Sequence, residues 1–284
     1  VERHTGNIDI SKIQGKITGK TRAMIPVHYG GQPCDMDEIV GIAKAHHLSI
    51  IEDAAHAVPA WYGQQKIGTI GDMTCFSFYA TKPLTTGEGG MVTTENDEWS
   101  DRLRILRLHG ISQDAWKRYS KEGTWFYEVI EAGYKYNLTD LQAAIGLSQL
   151  KKIDWMWQCR KAIARQYTDA FQSVDTLMTP YVKSDRESSW HLYVLKLNLE
   201  TLNIERNRFI EELKRRGIVT SVHFIPLYRH PFYRDAFSYS TNGFDGSEWF
   251  YERVMSLPIY PGMTDAQVHA VIDAVTELAA RHKK

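Results

Sequence analysis

Lys82 is the residue whose surroundings could turn an ordinary ammonium into a reactive amine. It follows Thr74-Cys75-Phe76-Ser77-Phe78-Tyr79, whose alternating apolar residues predict a buried strand. It precedes Thr85-Thr86-Gly87-Glu88-Gly89-Gly90, a turn of small residues that lets the backbone approach a ligand closely before a second apolar strand at 91–94. An amine condenses with a carbonyl only when it is deprotonated, which asks for partial burial and positive or apolar neighbours. Lysine is also an ordinary solvated surface residue. The residues alone therefore leave two readings, a surface ammonium or a lysine that forms a Schiff base.

A second candidate lies upstream. The apolar run 48–52 leads to Glu52 and Asp53, at the point where a parallel strand would leave its sheet. Open α/β sheets bind ligands at that edge. A carboxylate there either keeps a pyridine nitrogen protonated, the partner that lets pyridoxal phosphate act as an electron sink, or caps a helix in the Ala-rich segment that follows.

Positioning these groups requires alternating strands and helices. An apolar strand at 23–27, Gly30-Gly31, a helix at 36–46 and the strand at 48–52 form the alternation of a parallel doubly wound sheet. Gly71-Asp72 opens the hairpin that leads to Lys82. Helical spacing returns at Trp99, Leu103, Leu106 and Leu108 and closes at His109-Gly110, where His109 either nears the site or satisfies helix-end carbonyls. Trp116, Lys117, Arg118, Tyr119, Trp125, Phe126 and Tyr127 combine rings and cations, which either clasp a nucleotide or pack against a second subunit. From Thr139, which reads as the N-cap of TDLQAAIGLSQLKKIDWMWQ, one long amphipathic helix is expected. Strands at 190–197, 219–224 and 257–260 and helices at 204–216 and 264–280 follow.

Composition narrows the function classes. A chain of 284 residues with 43% apolar content suffices for a large domain plus a smaller one. Lys and Arg number 34 and so do Asp and Glu, so charge favours neither nucleic acid nor an anionic membrane surface. Cys34, Cys75 and Cys159 lie far apart without a CxxC pair, which argues against a disulfide framework or zinc site and for a reducing cytoplasm. No apolar run reaches the length of a membrane span and no signal-peptide pattern is seen.

The pieces IPVHYGGQPCDMDEI from Ile25, IIEDAAHA from Ile50, GDMTCFSFYATKPLTTGEGGM from Gly71, LRLHGI from Leu106, GYKYNLTDLQAAIGLSQL from Gly133, SVHFIPLYRHPFY from Ser221 and LPIYPGMT from Leu257 run in order over nearly the whole chain. In this order they resemble the DegT-type sugar aminotransferases, pyridoxal-phosphate enzymes of the aspartate-aminotransferase fold. The resemblance implies an α/β fold of type I: a large domain over 1–165, including the connecting helix, and a small α+β domain over 166–284. It implies that Lys82 is the Schiff-base lysine, that Asp53 pairs with the pyridine nitrogen and that Ser77 holds the phosphate through its hydroxyl. His56 stands where the family often has Gln, beside the cofactor ring.

At Gly133 many relatives carry GYNYR, whose first Asn reaches the neighbouring subunit's cofactor phosphate; here Lys135 takes that place and Asn137 follows two positions on. A homodimer is implied. His223, near Tyr228 where many relatives have a second His, either touches the sugar or is structural. The implied reaction converts a nucleotide-linked keto sugar to an amino sugar with glutamate as donor, in bacterial surface polysaccharide or lipopolysaccharide synthesis. Val1 is not Met, and an N-terminal part of the family, with a phosphate-binding helix start and a ring-stacking aromatic, is expected to precede it. A truncated, non-catalytic regulatory or binding relative is the alternative. Relatives that dehydrate sugars replace the lysine with histidine, and Lys82 argues against that chemistry.

Overall fold

The computed structural model describes residues 1–112 and 126–284. The sheet beneath Lys82 starts at Ala23–Met24 (β1) and is reached again after the helix Met36–His46 (α1). Met36, Ile39 and Ala43 form the buried stripe of α1 and pack on Ile50. The chain leaves α1 through His47 in the left-handed conformation (φ 53°). Ser49–Asp53 (β2) alternates, burying Ile50 and Glu52. A short hairpin, Trp61–Tyr62 (β3) and Gln65–Lys66 (β4), then leads to Met73–Ser77 (β5) and Gly90–Thr93 (β6). The order is β1-β2-β5-β6, with β1 and β5 parallel to β2 and β6 antiparallel to β5. Its register sets Asp53 beside Cys75 and Ser77 opposite Gly90. The ends of β2 and β5 therefore carry Asp53 and Ser77 at the same edge.

Asp97–Leu106 (α2) begins at Asn96, whose side chain accepts from the Trp99 amide. Thr139 and Gln142 form a capping box on Asp140–Leu150 (α3). The single long helix expected from Thr139 is two: the chain breaks at Lys151-Lys152 and resumes as Ile153–Phe171 (α4). The two face different surroundings. Leu141, Leu147 and Leu150 of α3 lie exposed, whereas α4 buries Met156, Ile163, Tyr167 and Phe171.

A second sheet joins Leu177–Met178 (β7), Tyr193–Leu197 (β9) and Val254–Leu257 (β10) in the order β10-β9-β7, all antiparallel. Arg186–Glu187 (β8) instead joins β3 and β4 in a third sheet. The helices Arg206–Arg215 (α5), Pro231–Phe237 (α6), Asp245–Arg253 (α7) and Asp265–Arg281 (α8) complete the chain, α8 with its own capping box at Thr264. Every residue of β9 is buried, and Tyr193, Leu195 and Leu197 meet Tyr167, Phe209 and Leu278 in the largest core.

Four expected strands are changed. Of 23–27 only Ala23–Met24 is strand, with Val27 in a lone bridge to Asp53. The stretch 219–224 touches the sheet only where Ser221 bridges Ser256. The strand expected at 190–197 starts at Tyr193, because Trp190 is left-handed (φ 52°), and the one expected at 257–260 is Val254–Leu257.

Candidate active site

Lys82 sits in the loop between β5 and β6. Two backbone bonds close the neck of that loop, Phe78 N–H to Gly89 O at 2.8 Å and Thr86 N–H to Phe78 O at 2.9 Å. Inside it the Lys82 amide donates to Tyr79 O (3.0 Å) and the Thr86 hydroxyl to Glu88 O (2.7 Å). Leu84 and Thr86 are buried beneath, leaving Lys82 half-buried. Burial holds the Lys82 ammonium below its ordinary pKa, against the opposing pull of the Asp53 charge. The neutral amine that condensation requires is thus more accessible than on an exposed lysine.

Asp53 ends β2. Its amide donates to Pro26 O (2.9 Å), its carbonyl accepts from the His28 amide (3.0 Å), and its Oδ1 accepts from the Ala55 amide (3.0 Å). No helix follows, so Asp53 closes a turn and is not the helix cap that was its alternative reading.

Directly before it, Glu52 is fully buried and accepts from the Gly71 amide (2.7 Å), the Thr74 hydroxyl (2.8 Å) and His28 Nε2 (2.8 Å). His28 Nδ1 accepts from the Cys34 amide (3.0 Å), which puts the His28 proton on Nε2 facing Glu52. Burial pushes the Glu52 carboxyl up, but His28, Gly71 and Thr74 outweigh it and hold the group below its ordinary value. Asp53 therefore hangs from a strand end anchored by a satisfied buried network.

Three histidines face Lys82. His56 Nδ1 accepts from the Gly30 amide (3.2 Å), so in the neutral ring the proton is on Nε2. Burial, then the charges of Lys82 and His223, push His56 down to about 3. His191 packs on it with ring centroids 4.4 Å apart and is itself pushed down to about 2, by burial first and then by His56, Lys82, Arg160 and His223. His223 is half-buried, bonds Ser256 Oγ through Nδ1 (2.8 Å) and is lowered by burial and Lys82. Its carbonyl accepts from the Tyr29 hydroxyl.

His191 was not singled out from the sequence. It lies between a serine pair and a wholly buried strand, and no spacing marks it as facing residues more than a hundred positions upstream. The one available signal was a polar ring at the mouth of a buried strand.

The other candidates are placed differently. Ser77 ends β5, half-buried, and its Oγ accepts from the Tyr79 amide (3.3 Å). Lys135 is exposed in a bridge opposite Leu108 and Asn137 is half-buried; among the described residues neither bonds to the Lys82 group. His109 is exposed, with φ 60°. Trp116, Lys117, Arg118, Tyr119 and Trp125 lie outside the described residues.

The set fits a phosphorylated pyridine aldehyde. It offers an amine with a lowered pKa, a carboxylate on the neighbouring strand end, a hydroxyl on the strand leading to the amine, and a neutral imidazole with one nitrogen already engaged by backbone.

The model of the DegT/DnrJ/EryC1/StrS aminotransferase family matches residues 1–276. The chain is 55% identical over 283 residues to the uncharacterized protein MJ1066 of Methanocaldococcus jannaschii, covering 100% of this chain and 73% of that protein. It is 49% identical over 279 residues to the spore coat polysaccharide biosynthesis protein SpsC of Bacillus subtilis, covering 98% of this chain and 72% of SpsC. Among solved structures, the sugar aminotransferase Spr1654 of Streptococcus pneumoniae in its PMP form superposes with a TM-score of 0.91 at 30% identity, over 99% of this chain and 75% of that one.

Proposed function

The chain belongs to the DegT/DnrJ/EryC1/StrS aminotransferase family and is a pyridoxal-phosphate-dependent sugar aminotransferase; from this premise we propose that it aminates a nucleotide-linked keto sugar, with glutamate as the donor, for a surface polysaccharide. The observation that carries this reading is Lys82, half-buried with a lowered pKa and facing Asp53 and neutral histidines. The 49% identity to SpsC supports the polysaccharide.

Pyridoxal phosphate supplies the electron sink for transamination. Lys82 Nζ would hold the cofactor and, when free, its amine would take the proton from the donor's alpha carbon and return it to the neighbouring carbon, a role its lowered pKa suits. The Asp53 carboxylate holds the proton on the pyridine nitrogen. Ser77 Oγ donates to the phosphate. His56 offers its Nε2 proton beside the ring without adding a charge, because Nδ1 is held by Gly30. His223, half-buried and tied to Ser256, faces the sugar.

We place Lys135 and Asn137 at the phosphate of a second copy of the chain. The exposure of Lys135 supports that reading, as does the apolar surface of α3, where Leu141 is 81% and Leu147 65% exposed. The large domain then takes 1–165 and the small one 166–284.

Lys82→Ala should fold, since the side chain is not part of a core, and should lower amine transfer by about a thousand-fold or more. The check is the absorbance band formed with added pyridoxal phosphate, its shift on glutamate, and release of the donor's keto acid. Wild-type chain that binds the cofactor yet gives no keto acid from glutamate would defeat the donor assignment, and a panel of nucleotide keto sugars tests the acceptor.

A further inference from the structure

The segment 188–192 crosses from the second sheet to lie against the turn at Gly30-Gly31 and His56. The crossing is closely tied. Ser189 N–H donates to Gly31 O (3.1 Å) and Leu192 N–H to Gly30 O (3.2 Å), while the Ser189 hydroxyl donates to His56 O. Trp190, between them, is left-handed at φ 52°, a conformation a tryptophan adopts only when its surroundings impose it. Arg160 of α4 helps to impose it, donating through Nη1 to the carbonyls of Trp190 (3.3 Å), His191 (3.4 Å) and Ile259 (2.8 Å).

The result is an imidazole laid on an imidazole. His191 and His56 are 7% and 6% exposed, their ring centroids are 4.4 Å apart and their planes are tilted by 46°. His191 Nδ1 is buried without a hydrogen-bond partner. A buried N–H with no acceptor is costlier than a bare ring nitrogen, so His191, like His56, carries its proton on Nε2. Packing alone would be served as well by a phenylalanine, without the unpaired nitrogen.

We propose that His191 is a positioning residue for His56: by covering one face of its ring, it keeps His56 a neutral imidazole that accepts from Gly30 through Nδ1 and offers its Nε2 proton to the bound cofactor. The charged and titratable groups facing His56 are Lys82 and His223 besides His191; those facing His191 are His56, Lys82, Arg160 and His223. None is an acceptor that would favour an imidazolium. Phe224, 6.0 Å from His56, and Tyr29, at 6.5 Å, add further ring cover. With the His191 ring gone, water reaches His56 and protonation becomes available near neutral pH. His56 would then place a second cation beside Lys82.

The inference rests on the assignment of this site to pyridoxal phosphate, but its first test needs neither sugar nor donor. The chain, labelled with 15N at histidine, is titrated from about pH 8 to about pH 5. In the wild type His56 stays neutral throughout. In His191→Ala it acquires a midpoint inside this window, below the ordinary histidine value of about 6.5 because the Lys82 and His223 charges remain. In His191→Phe, which keeps the ring cover, it stays neutral. The double variant His56→Gln with His191→Ala loses the new midpoint.

Cofactor affinity, read by fluorescence titration, should fall about tenfold more at pH 6 than at pH 8 in His191→Ala and equally little at both in His191→Phe. Should His191→Ala fail to fold, His191→Gln, of similar size but without a ring, carries the same expectation. An unaltered His56 titration in the ringless variants, or the same new midpoint in His191→Phe, would overturn the proposal. So would a loss of affinity equal at the two pH values.

Discussion

A second lysine, buried in the other sheet, shows how strongly this fold moves amine chemistry. Lys196 of β9 is 4% exposed, donates to His4 O at 2.7 Å and lies 5.8 Å from the Phe250 ring centroid. Burial pushes it down to about 8, against the pull of Glu2. Between pH 8 and the ordinary value of 10.5 the unfolded chain therefore binds the extra proton, so stability rises with pH across that window. The gain is at most about 3 kcal/mol. Denaturant midpoints at pH 8 and pH 10 should show it, and Lys196→Met should remove the part due to this residue. Lys196 and Lys82 share lowered pKa values, yet only Lys82 was legible as a chemical lysine. Lys82 stands between a strand and a run of glycines, whereas Lys196 interrupts an apolar strand, a pattern that describes burial and not its consequence.

At the scale of elements, the sheet edge bearing Asp53 and Ser77 was readable because apolar runs of four or five residues end in polar groups. The hairpin to Lys82 was readable because Gly71-Asp72 and Gly87 to Gly90 bracket it. The two-residue strands β3, β4, β7 and β8 were not, since so short a run has no period; they exist because tertiary neighbours pair them. The break between α3 and α4 was hidden for a related reason: nothing in Lys151-Lys152 forbids a helix, and only the change of surroundings ends one.

The junction of Gly31 with Ser189 was equally silent, although Gly30-Gly31 marked a turn. Gly31 has φ 103°, and a Cβ there would lie 2.0 Å from Ser189 Oγ and 3.0 Å from His56 O. Gly31→Ala combines a disfavoured conformation with a clash against a crossing segment, and a loss of about 2–5 kcal/mol is expected. Thermal unfolding checks the stability, and cofactor titration should show weakened binding through the displaced His56.

For the whole molecule, the exposed face of α3 sits next to the chemistry. Gln142 Nε2 donates to Glu88 O at 2.8 Å, tying this helix to the Lys82 loop. Burying a leucine such as Leu141 or Leu147 in a subunit interface stabilises by about 1.5–3 kcal/mol. If the proposed second copy docks here, Leu141→Asp with Leu147→Asp should shift that dimer to monomer in analytical ultracentrifugation and lower activity with it. A wild-type monomer that is fully active would remove the second copy from the site. The crossing 188–192 couples ligand binding to the docking of the two parts it joins. It lays a residue from beside the larger core against the turn that supports His56, so a ligand held through His56 binds best when the two sides are docked. Cofactor then adds RT ln(1 + [L]/Kd) to their docking as well as to its own site. A chain that melts in two calorimetric steps when empty should, at a hundredfold excess over Kd, gain about 2.7 kcal/mol and melt in one.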